Sequence, residues 1–359
     1  MQSKVIATAG LNGAALMMGG LYRRLMAAAA VLAGGCHGGA PDAGPTTAPE
    51  AVRITETRPL MGVAWSITVF AADQAAGREA IATAFAEAER IERVLSDYDP
   101  TSELSRLSAA APTPQPVPVS DDLWSVLVEG DAMQRLSGGA FDMTVGPLTS
   151  LWRRSRRSGH LPRPDRLAAA RDAVGWQHVT LDAERRTAAL SRSGMRLDAG
   201  GIGMGYAVDR VLEVLADRGI AAAMVDASGD VGVSGPPPGS AGWRVRVDAV
   251  PGADDGETLL LAHAAVTTSG DARQFVEIDG RRYSHIVDPR SGIGIDGPAA
   301  VTVIAADCTT ADALATAANV LGPGNGPALV ARIPGAAARF FWLDGEAPRT
   351  VVTPGWPAP

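Results

Sequence analysis

The spacing of apolar and polar residues predicts a chain that mixes long helices with short strands. In residues 75–95 the apolar side chains recur every three or four positions, which is the period of a helix with one buried face. Residues 66–70 alternate between apolar and polar side chains instead, which is typical of a half-buried strand. A second helix is expected over residues 121–137, because Gly138-Gly139 follows as a stop signal.

The second half of the chain shows shorter periodic segments separated by glycine-rich turns. Strands are expected from Met195 up to the glycine loop and over residues 221–225, 243–247, 265–268, 274–278, 281–284 and 300–304. Asp279-Gly280 lies between two of them and is typical of a hairpin turn. Helices are expected over residues 206–218 and 311–321, and the second of these ends at Gly322-Pro323. Strands mixed with a few long helices indicate the α+β class.

The N-terminal segment predicts export. Arg23-Arg24 precedes an apolar run over residues 25–33, and small residues lead to Cys36, as in a secretory signal that ends at a lipoprotein cysteine. A plain signal peptide or an uncleaved anchor is the alternative, although the run is shorter than the ~20 apolar residues of a spanning helix. The following residues are rich in Gly, Pro, Ala and Thr, which predicts a flexible tether.

These features divide the chain into three parts. We expect a signal peptide with a lipoprotein-type cysteine over residues 1–36, a flexible tether over residues 37–52 and one folded domain over residues 53–355. Lipidation of Cys36 would anchor the domain on the periplasmic side of a bacterial membrane.

Charge and residue usage exclude several functions. The formal net charge is −7, and the body of the chain has no extended basic run that could hold a nucleic acid backbone. Lys4 is the only lysine, which excludes a lysine nucleophile and a Schiff base. The arginine cluster in residues 153–157 is expected on a solvated surface turn rather than against an anionic ligand. Histidine spacing disfavours a zinc site.

A glycine-rich loop before a predicted helix indicates an anion site. Glycines at positions 200, 201, 203 and 205 would let backbone amides approach a negative group at the positive end of the helix. A pyrophosphate is the natural ligand. A dinucleotide-binding unit is the rival interpretation, with Asp226 as its ribose-binding acid, but Tyr206 occupies the third glycine position of that motif.

Asp312 and Thr316 lie four residues apart on a predicted helix, so their side-chain oxygens project from the same face. A carboxylate and a hydroxyl suit Mg²⁺, which prefers oxygen ligands and completes its octahedron with water and substrate phosphates. By itself this pair is also compatible with an ordinary acid in the first turn of a helix.

His285 lies between Asp271 and Asp288, so an imidazole and two carboxylates are expected to converge. A histidine near its ordinary pKa of about 6.5 can accept a hydroxyl proton at neutral pH, and a carboxylate could orient it. A structural histidine held by backbone partners is the alternative. A hydrolase triad is disfavoured because the chain has no Gly-x-Ser-x-Gly elbow.

Taken together, these motifs resemble the FAD:protein FMN transferase (ApbE) family. The resemblance is carried by Thr267-Thr268-Ser269-Gly270-Asp271, Ser284-His285-Ile286-Val287-Asp288-Pro289 and Asp312-Ala313-Leu314-Ala315-Thr316, together with residues 138–148 and 197–206. It extends from Met61-Gly62 to Leu321-Gly322 in the family's order. It implies a mixed, two-lobed α+β fold with the cofactor site between the lobes.

The resemblance also implies roles for individual residues. The residues expected to contact FAD are Met61, Tyr98, Ala140, Phe141, Asp142, Asp198, Met204 and Ile286. Mg²⁺ would be held by Asp312 and Thr316, with backbone oxygens at Gly201 and Ala315. His285, Asp271 and Asp288 are the candidates for activating the acceptor hydroxyl. Two departures from the family pattern are Met204, where many members carry Lys, and Ser228, which replaces a glycine.

The function implied is that of an exported, Mg²⁺-dependent enzyme that cleaves FAD. It would attach FMN by a phosphoester bond to a Ser or Thr of a target protein and release AMP. The expected acceptor is a subunit of a membrane redox complex. Two alternatives remain open at this point: an FAD pyrophosphatase that gives FMN and AMP, and a flavin-binding lipoprotein without turnover.

Overall fold

The computed structural model describes residues 51–248, 256–271, 274–297, 299–345 and 347–357. The predicted signal peptide, Cys36 and nearly all of the predicted tether lie outside these residues. The first strand already begins at Val52, so the prediction of a tether through residue 52 is wrong at its end. No helix in the described ranges has the length and apolar character needed to cross a membrane.

The helices, numbered along the described residues, are α1 (Gln74–Leu95), α2 (Glu103–Ala109), α3 (Asp121–Ser137), α4 (Gly146–Ser158), α5 (Pro164–Arg171), α6 (Gly203–Asp217) and α7 (Cys308–Val330). The α3 bounds match the prediction. Helix α6 begins earlier than predicted and includes part of the glycine loop. Helix α7 is interrupted at Gly322, whose φ of 67° and ψ of −177° are not helical, so the predicted break there is confirmed.

The strands are β1 (Val52–Leu60), β2 (Val63–Ala71), β3 (Val117–Pro118), β4 (Val179–Asp182), β5 (Thr187–Leu190), β6 (Ala222–Ala227), β7 (Asp230–Val233), β8 (Trp243–Val247), β9 (Glu257–Leu261), β10 (Ala264–Gly270), β11 (Phe275–Ile278), β12 (Arg281–Val287), β13 (Gly294–Asp296), β14 (Ala299–Ala305), β15 (Ala337–Asp344) and β16 (Ala347–Val352). The strands predicted over residues 66–70 and 221–304 are present, but the strand predicted from Met195 is wrong, because among the described residues only a single bridge between Val145 and Arg196 forms there. Asp279-Gly280 forms the predicted turn between β11 and β12, with φ of 52° and 75°.

The main sheet has the order β1-β2-β6-β7-β10-β14-β15-β16 within the described residues, and its neighbouring strands are antiparallel. Helices α1, α6 and α7 pack on one face of it. The predicted apolar stripe of α1 is buried there, which confirms that its 3.6-residue period identifies a core face. The β8–β9 hairpin covers part of the opposite face through Trp243, Val245 and Leu259.

A smaller part of the fold is built from the sheet β11-β12-β13 and helices α4 and α5. Its core contains Leu148, Trp152 and Tyr283, and the Trp152 indole N–H donates to the Ser284 carbonyl at 2.9 Å. A cleft opens between this part and the face of the main sheet that carries α6 and α7. The predicted α+β fold is therefore confirmed.

The arginine cluster is the clearest error in the predicted elements. Residues 153–157 lie on α4 and not on a surface turn. Pro147 in the first turn and Gly159, with φ of 70° after the last, define the helix ends. The helix was missed because its buried face is narrow: the side chains of Leu148, Trp152 and Ser155 are covered, while polar residues dominate the rest.

Candidate active site

The cleft contains a cavity of about 400 Å³ that brings together most of the predicted site residues. Those that line it are Met61, Tyr98, Ala140, Phe141, Asp142, Asp198, Gly201, Met204, His285, Ile286, Asp312 and Thr316. They come from the β1–β2 turn, the loop after α1, the loop between α3 and α4, the glycine loop and the start of α6, strand β12 and helix α7. The tertiary structure thus collects segments that are widely separated along the chain.

One corner of the cavity is formed where α6 and α7 cross. The Gly205 N–H donates to Asp312 Oδ2 at 3.1 Å, which positions the Asp312 carboxylate. A Cβ at Gly201 would lie only 2.9 Å from Thr316 Oγ1, so the glycine backbone lies directly against the threonine hydroxyl. Thr316 Oγ1 also lies 3.1 Å from Ser269 Oγ on β10. The residues predicted as metal ligands therefore share one small volume, which we call the acidic corner.

Asp209 was not predicted to contribute, yet it holds the start of α7. Its carboxylate accepts from the Cys308 N–H at 2.8 Å and the Thr309 N–H at 2.9 Å, two donors that a helix start leaves without partners. Burial raises the pKa of Asp209 to about 6. Because Asp312 lies one turn further along α7, Asp209 helps to fix the direction in which Asp312 points.

Asp230, at the start of β7, is a second carboxylate at the acidic corner that sequence reasoning missed. Burial raises the pKa of Asp230, and burial together with the charge of Asp230 raises the pKa of Asp312 well above its ordinary value. Neither carboxylate has an arginine partner among the residues that the structure describes. Two neighbouring buried acids without a counter-ion are costly to ionise, and a bound cation would offset that cost.

The turn before Asp230 explains how Ser228 is accommodated. Ser228 has a φ of 59° and Gly229 a φ of 110°, both in the region that favours glycine. Ser228 therefore adopts the conformation expected of the glycine it replaces, at some cost in backbone strain. The Asp226 side chain accepts from the Gly229 N–H at 2.9 Å and stabilises the turn. Asp226 thus acts as a turn residue here.

The donor set of the acidic corner fits Mg²⁺. It contains the Asp312 carboxylate and the Thr316 hydroxyl, which are both hard oxygen ligands. No group of three or more His, Cys, Asp and Glu side chains suited to a metal occurs in the described part of the chain. A metal here would therefore depend on hydroxyl, carbonyl and substrate oxygens. Ala315 is buried in α7 and does not line the cavity with its side chain.

A buried ion network supports the glycine loop from the other side. Arg153 donates to Asp97 Oδ2 at 2.6 Å and to Asp198 Oδ2 at 3.3 Å. Asp198 Oδ2 also accepts from the Thr149 hydroxyl at 2.6 Å, and its Oδ1 accepts from the Gly200 N–H at 2.8 Å. Both oxygens of the predicted FAD contact Asp198 are thus engaged by the protein. In this structure the Asp198 carboxylate stabilises the conformation of the glycine loop.

The aromatic and apolar side of the cavity suits a flat ring system. Met61 lies in the β1–β2 turn with a φ of 50°, and Phe141, Met204 and Ile286 line the same cavity. The ring of Tyr98 is largely exposed and rests over the Arg153 guanidinium at 4.2 Å. Thioether and aromatic surfaces of this kind pack well against a planar aromatic ligand.

Asp142 lies at this side of the cavity but makes its contacts within the protein. Its Oδ1 accepts from the Thr144 N–H at 2.8 Å and from the Thr144 hydroxyl at 2.7 Å. Burial raises the pKa of Asp142. The side chain therefore holds the loop that carries Ala140 and Phe141 against the cavity.

His285 lies on β12, one residue beyond the predicted strand, and has a defined tautomer. Its Nδ1 lies 3.2 Å from the Gln274 carbonyl, which can only accept, so the ring proton resides on Nδ1. The lone pair is then on Nε2. Burial, and next the charge of Arg156, lower the pKa of His285. The imidazole is therefore neutral, and Nε2 can accept a proton at neutral pH.

The predicted convergence of His285 with two carboxylates is wrong. Asp271 is buried, accepts from Arg282 Nε at 2.6 Å and from the Ala299 N–H at 3.1 Å, and does not line the cavity. Its charge raises the pKa of His285, but less than burial and the charge of Arg156 lower it. Asp288 is paired with Arg290 at 2.9 Å and also lies outside the lining. Each carboxylate is satisfied by an arginine close in sequence, so neither orients the imidazole.

Two arginines of α4, Arg153 and Arg156, line the cavity. The prediction that the arginine cluster in residues 153–157 lies in solvent is therefore wrong for these two. Arg153 belongs to the ion network, and Arg156 lines the cavity with Nη2 3.5 Å from Gln274 Oε1. Arg156 Nε is buried and has no hydrogen-bond partner among the described residues. A buried donor without a partner on a cavity wall is suited to an anionic ligand.

The chain is similar to the proteins of one known family. A model of the ApbE family matches residues 61–340. An FAD:protein FMN transferase of Vibrio cholerae is 34% identical over 247 residues, which are 67% of this chain and 73% of that protein. Another, of Klebsiella pneumoniae, is 28% identical and covers 93% of this chain and 95% of its own length.

Solved structures show the same similarity. The apo crystal structure of the flavinyl transferase ApbE of Pseudomonas stutzeri has a TM-score of 0.75 and 32% identity, covering 85% of this chain and 96% of that one. The flavin transferase ApbE of Vibrio cholerae has a TM-score of 0.76 and 28% identity, covering 85% of this chain and 98% of that one.

Proposed function

Because this chain belongs to the ApbE family, we propose that it is an FAD:protein FMN transferase. In this reaction it splits FAD, attaches FMN through a phosphoester bond to a Ser or Thr of a target protein, and releases AMP. One observation carries the proposal: the same cavity joins the acidic corner to His285, whose Nε2 is the proton-accepting nitrogen. A hydroxyl acceptor and a pyrophosphate can meet between these two features.

The bond changes follow from this arrangement. The acceptor oxygen attacks the phosphorus on the riboflavin side, and the bond between that phosphorus and the bridging oxygen breaks. AMP leaves with the bridging oxygen, while the hydroxyl proton passes to His285 Nε2. Because the ring is held through Nδ1 by the Gln274 carbonyl, the imidazole keeps its orientation as it becomes charged.

Mg²⁺ is proposed as the metal of this site, with Asp312, Thr316 and the carbonyls of Gly201 and Ala315 as its protein ligands. When bound, it supplies charge neutralisation for the pyrophosphate. The glycine loop contributes backbone amides at the start of α6, and Arg156 contributes a cation on the opposite wall. These groups would hold the phosphates in line with the acceptor oxygen, where positioning dominates the catalytic effect.

Location and acceptor are further proposals. The signal-like segment ending at Cys36 supports export and lipid anchoring on the periplasmic side of a bacterial membrane. An anchored transferase would meet membrane proteins most often, so a subunit of a membrane redox complex is the proposed acceptor. The negative net charge and the lack of an extended basic run argue against nucleic acid.

An assay with three outcomes tests the function. The full chain is incubated with FAD, Mg²⁺ and a candidate acceptor domain, and the products are separated on a denaturing gel and by chromatography. Flavin fluorescence on the acceptor, with AMP in solution, is the expected result. Free FMN and AMP without labelled acceptor would indicate an FAD pyrophosphatase. Intact FAD would indicate a flavin-binding protein without turnover.

A further inference from the structure

A second cavity, of about 490 Å³, lies on the face of the main sheet that the β8–β9 hairpin partly covers. We call it the hairpin groove. It shares four lining residues with the active-site cavity: Thr268, Gly270, Gln274 and His285. The histidine that would accept the hydroxyl proton is therefore accessible from both cavities.

Strand β10 explains why the two cavities meet at this point. Thr267 and Ser269 lie on the α7 face of the sheet, where they approach Cys308 and Thr316. Val266 and Thr268 lie on the opposite face, where Val266 packs in the hairpin core and Thr268 lines the hairpin groove. Gly270 ends the strand without a side chain. Beyond Val266, β10 still pairs with β14 but no longer with β7, so the two cavities can meet beside this end of the strand.

The hairpin groove also borders the edge of a strand. Five consecutive residues line the hairpin groove, namely 244–247 of β8 and Asp248 directly after it. They do so although the side chains of β8 alternate between buried and exposed. Lining by successive residues means that the main chain itself faces the groove. Within the described ranges, β8 pairs only with β9, so its other edge has no strand partner. An open strand edge binds extended polypeptide through main-chain hydrogen bonds.

We propose that the hairpin groove binds an extended segment of the acceptor protein along β8 and delivers its Ser or Thr hydroxyl to His285. This inference rests on the proposed transferase function. The reaction needs a polypeptide as its second substrate, and the groove is continuous with the cavity that contains the acidic corner. Main-chain pairing would accept varied side chains, while the acceptor hydroxyl would reach His285 where the two cavities share their lining.

Arg244 allows the groove to be blocked without touching the catalytic residues. Its side chain is exposed on β8, it lines the groove, and it makes no ion pair with any described residue. We would change Arg244→Cys in the full chain and attach a bulky fluorescent maleimide. Arg53→Cys is the matched control, because Arg53 is an exposed arginine on the edge strand β1 and lines neither cavity. Wild type treated with the same reagent accounts for labelling of Cys36 and Cys308.

Flavin transfer is measured on short synthetic peptides that carry one central Thr, taken from a randomised library and selected with the wild type. Labelling of the Arg244→Cys variant should raise KM for the peptide by roughly tenfold or more, as loss of a central interface contact commonly does. The Kd for FAD should not change. Unlabelled Arg244→Cys is the reference against which the effect of the label is measured, and labelled Arg53→Cys should keep the wild-type KM.

Two results would overturn the inference while leaving the transferase function intact. An unchanged peptide KM after labelling at position 244 would show that the acceptor does not use the groove. A raised Kd for FAD would show that the groove holds part of FAD. Failure of the proposed transferase function would give a different result, because the wild type would then place flavin on no peptide. In that case the inference about the groove would also be refuted.

Discussion

Gly205 and Asp312 are in direct contact where helices α6 and α7 cross. The Gly205 N–H donates to Asp312 Oδ2, and a Cβ at position 205 would lie 2.2 Å from the Cys308 carbonyl oxygen. No side chain larger than hydrogen fits there without moving one helix. The glycine therefore serves two purposes at once: it allows the close crossing, and its amide holds the carboxylate of the acidic corner.

Asp312→Asn should abolish most flavin transfer while preserving the fold. The amide oxygen can still accept from Gly205, but the negative charge for Mg²⁺ is lost, so we expect a decrease of roughly 10² or more. Without metal the variant should be more stable than wild type, because an amide avoids the cost of burying a carboxylate and does not repel Asp230. Transfer rates and thermal unfolding with and without Mg²⁺ test both points. Near wild-type transfer at limiting Mg²⁺ would refute the metal assignment.

His285→Gln should lower flavin transfer by about 10²- to 10⁴-fold, the usual range for a lost acid–base group. Affinity for FAD should change little, since Gln can replace the contact with the Gln274 carbonyl. Single-turnover transfer and fluorescence titration of FAD give the two quantities. A Cys acceptor ionises more easily and should recover part of the lost rate. Equal losses in FAD affinity and transfer would make His285 a wall of the cavity and not a base.

The pH profile should report the lowered pKa of His285. Transfer should fall as the pH decreases through this pKa, because the protonated ring cannot accept a proton, and the midpoint should lie below about 6.5. Arg156→Gln removes a neighbouring positive charge, so the acid limb should move to higher pH. The pH dependence of kcat/KM measures the shift. Arg157→Gln, an exposed neighbour on α4, should leave the midpoint in place, and equal midpoints for all three proteins would contradict this account.

Arg153→Met should destabilise the domain, because the buried carboxylates of Asp97 and Asp198 lose their shared counter-ion. We expect the free energy of unfolding to fall by about 2–4 kcal/mol. This is somewhat less than for a fully buried ion pair, because the side chain of Arg153 is 24% exposed. Urea unfolding measures it. The double variant Arg153→Met/Asp97→Asn should recover part of the loss. Arg154→Met, on the exposed side of α4, is the control, and an equally small effect of both substitutions would refute the network.

Cys36→Ala should release the protein from membranes in soluble, active form. The predicted tether would separate the anchor from the catalytic domain, so loss of the lipid should not affect transfer. Fractionation of cells, followed by the flavin assay on both fractions, tests this. Membrane association that persists in the variant would favour an uncleaved helix.

Much of the fold was predictable because the relevant signals are local. The helical period of residues 75–95 specified a buried face of α1, and the glycines before α6 specified a loop whose backbone approaches Thr316. Asp312 and Thr316 could be paired because a single helical turn separates them. Local periodicity also placed the predicted strands except the one expected from Met195, although it shortened β12 and so placed His285 at a turn.

The sequence by itself determined which residues form elements and which faces of them are buried, since periods of two and of three to four residues are properties of neighbouring positions. Only the tertiary structure decided the partners of the charged groups. Asp271 and Asp288 pair with arginines, Arg153 joins two acids, and Asp230 meets Asp312 without a counter-ion. A charge can be neutralised by any opposite charge that folding brings within a few ångströms, and periodicity does not encode that distance.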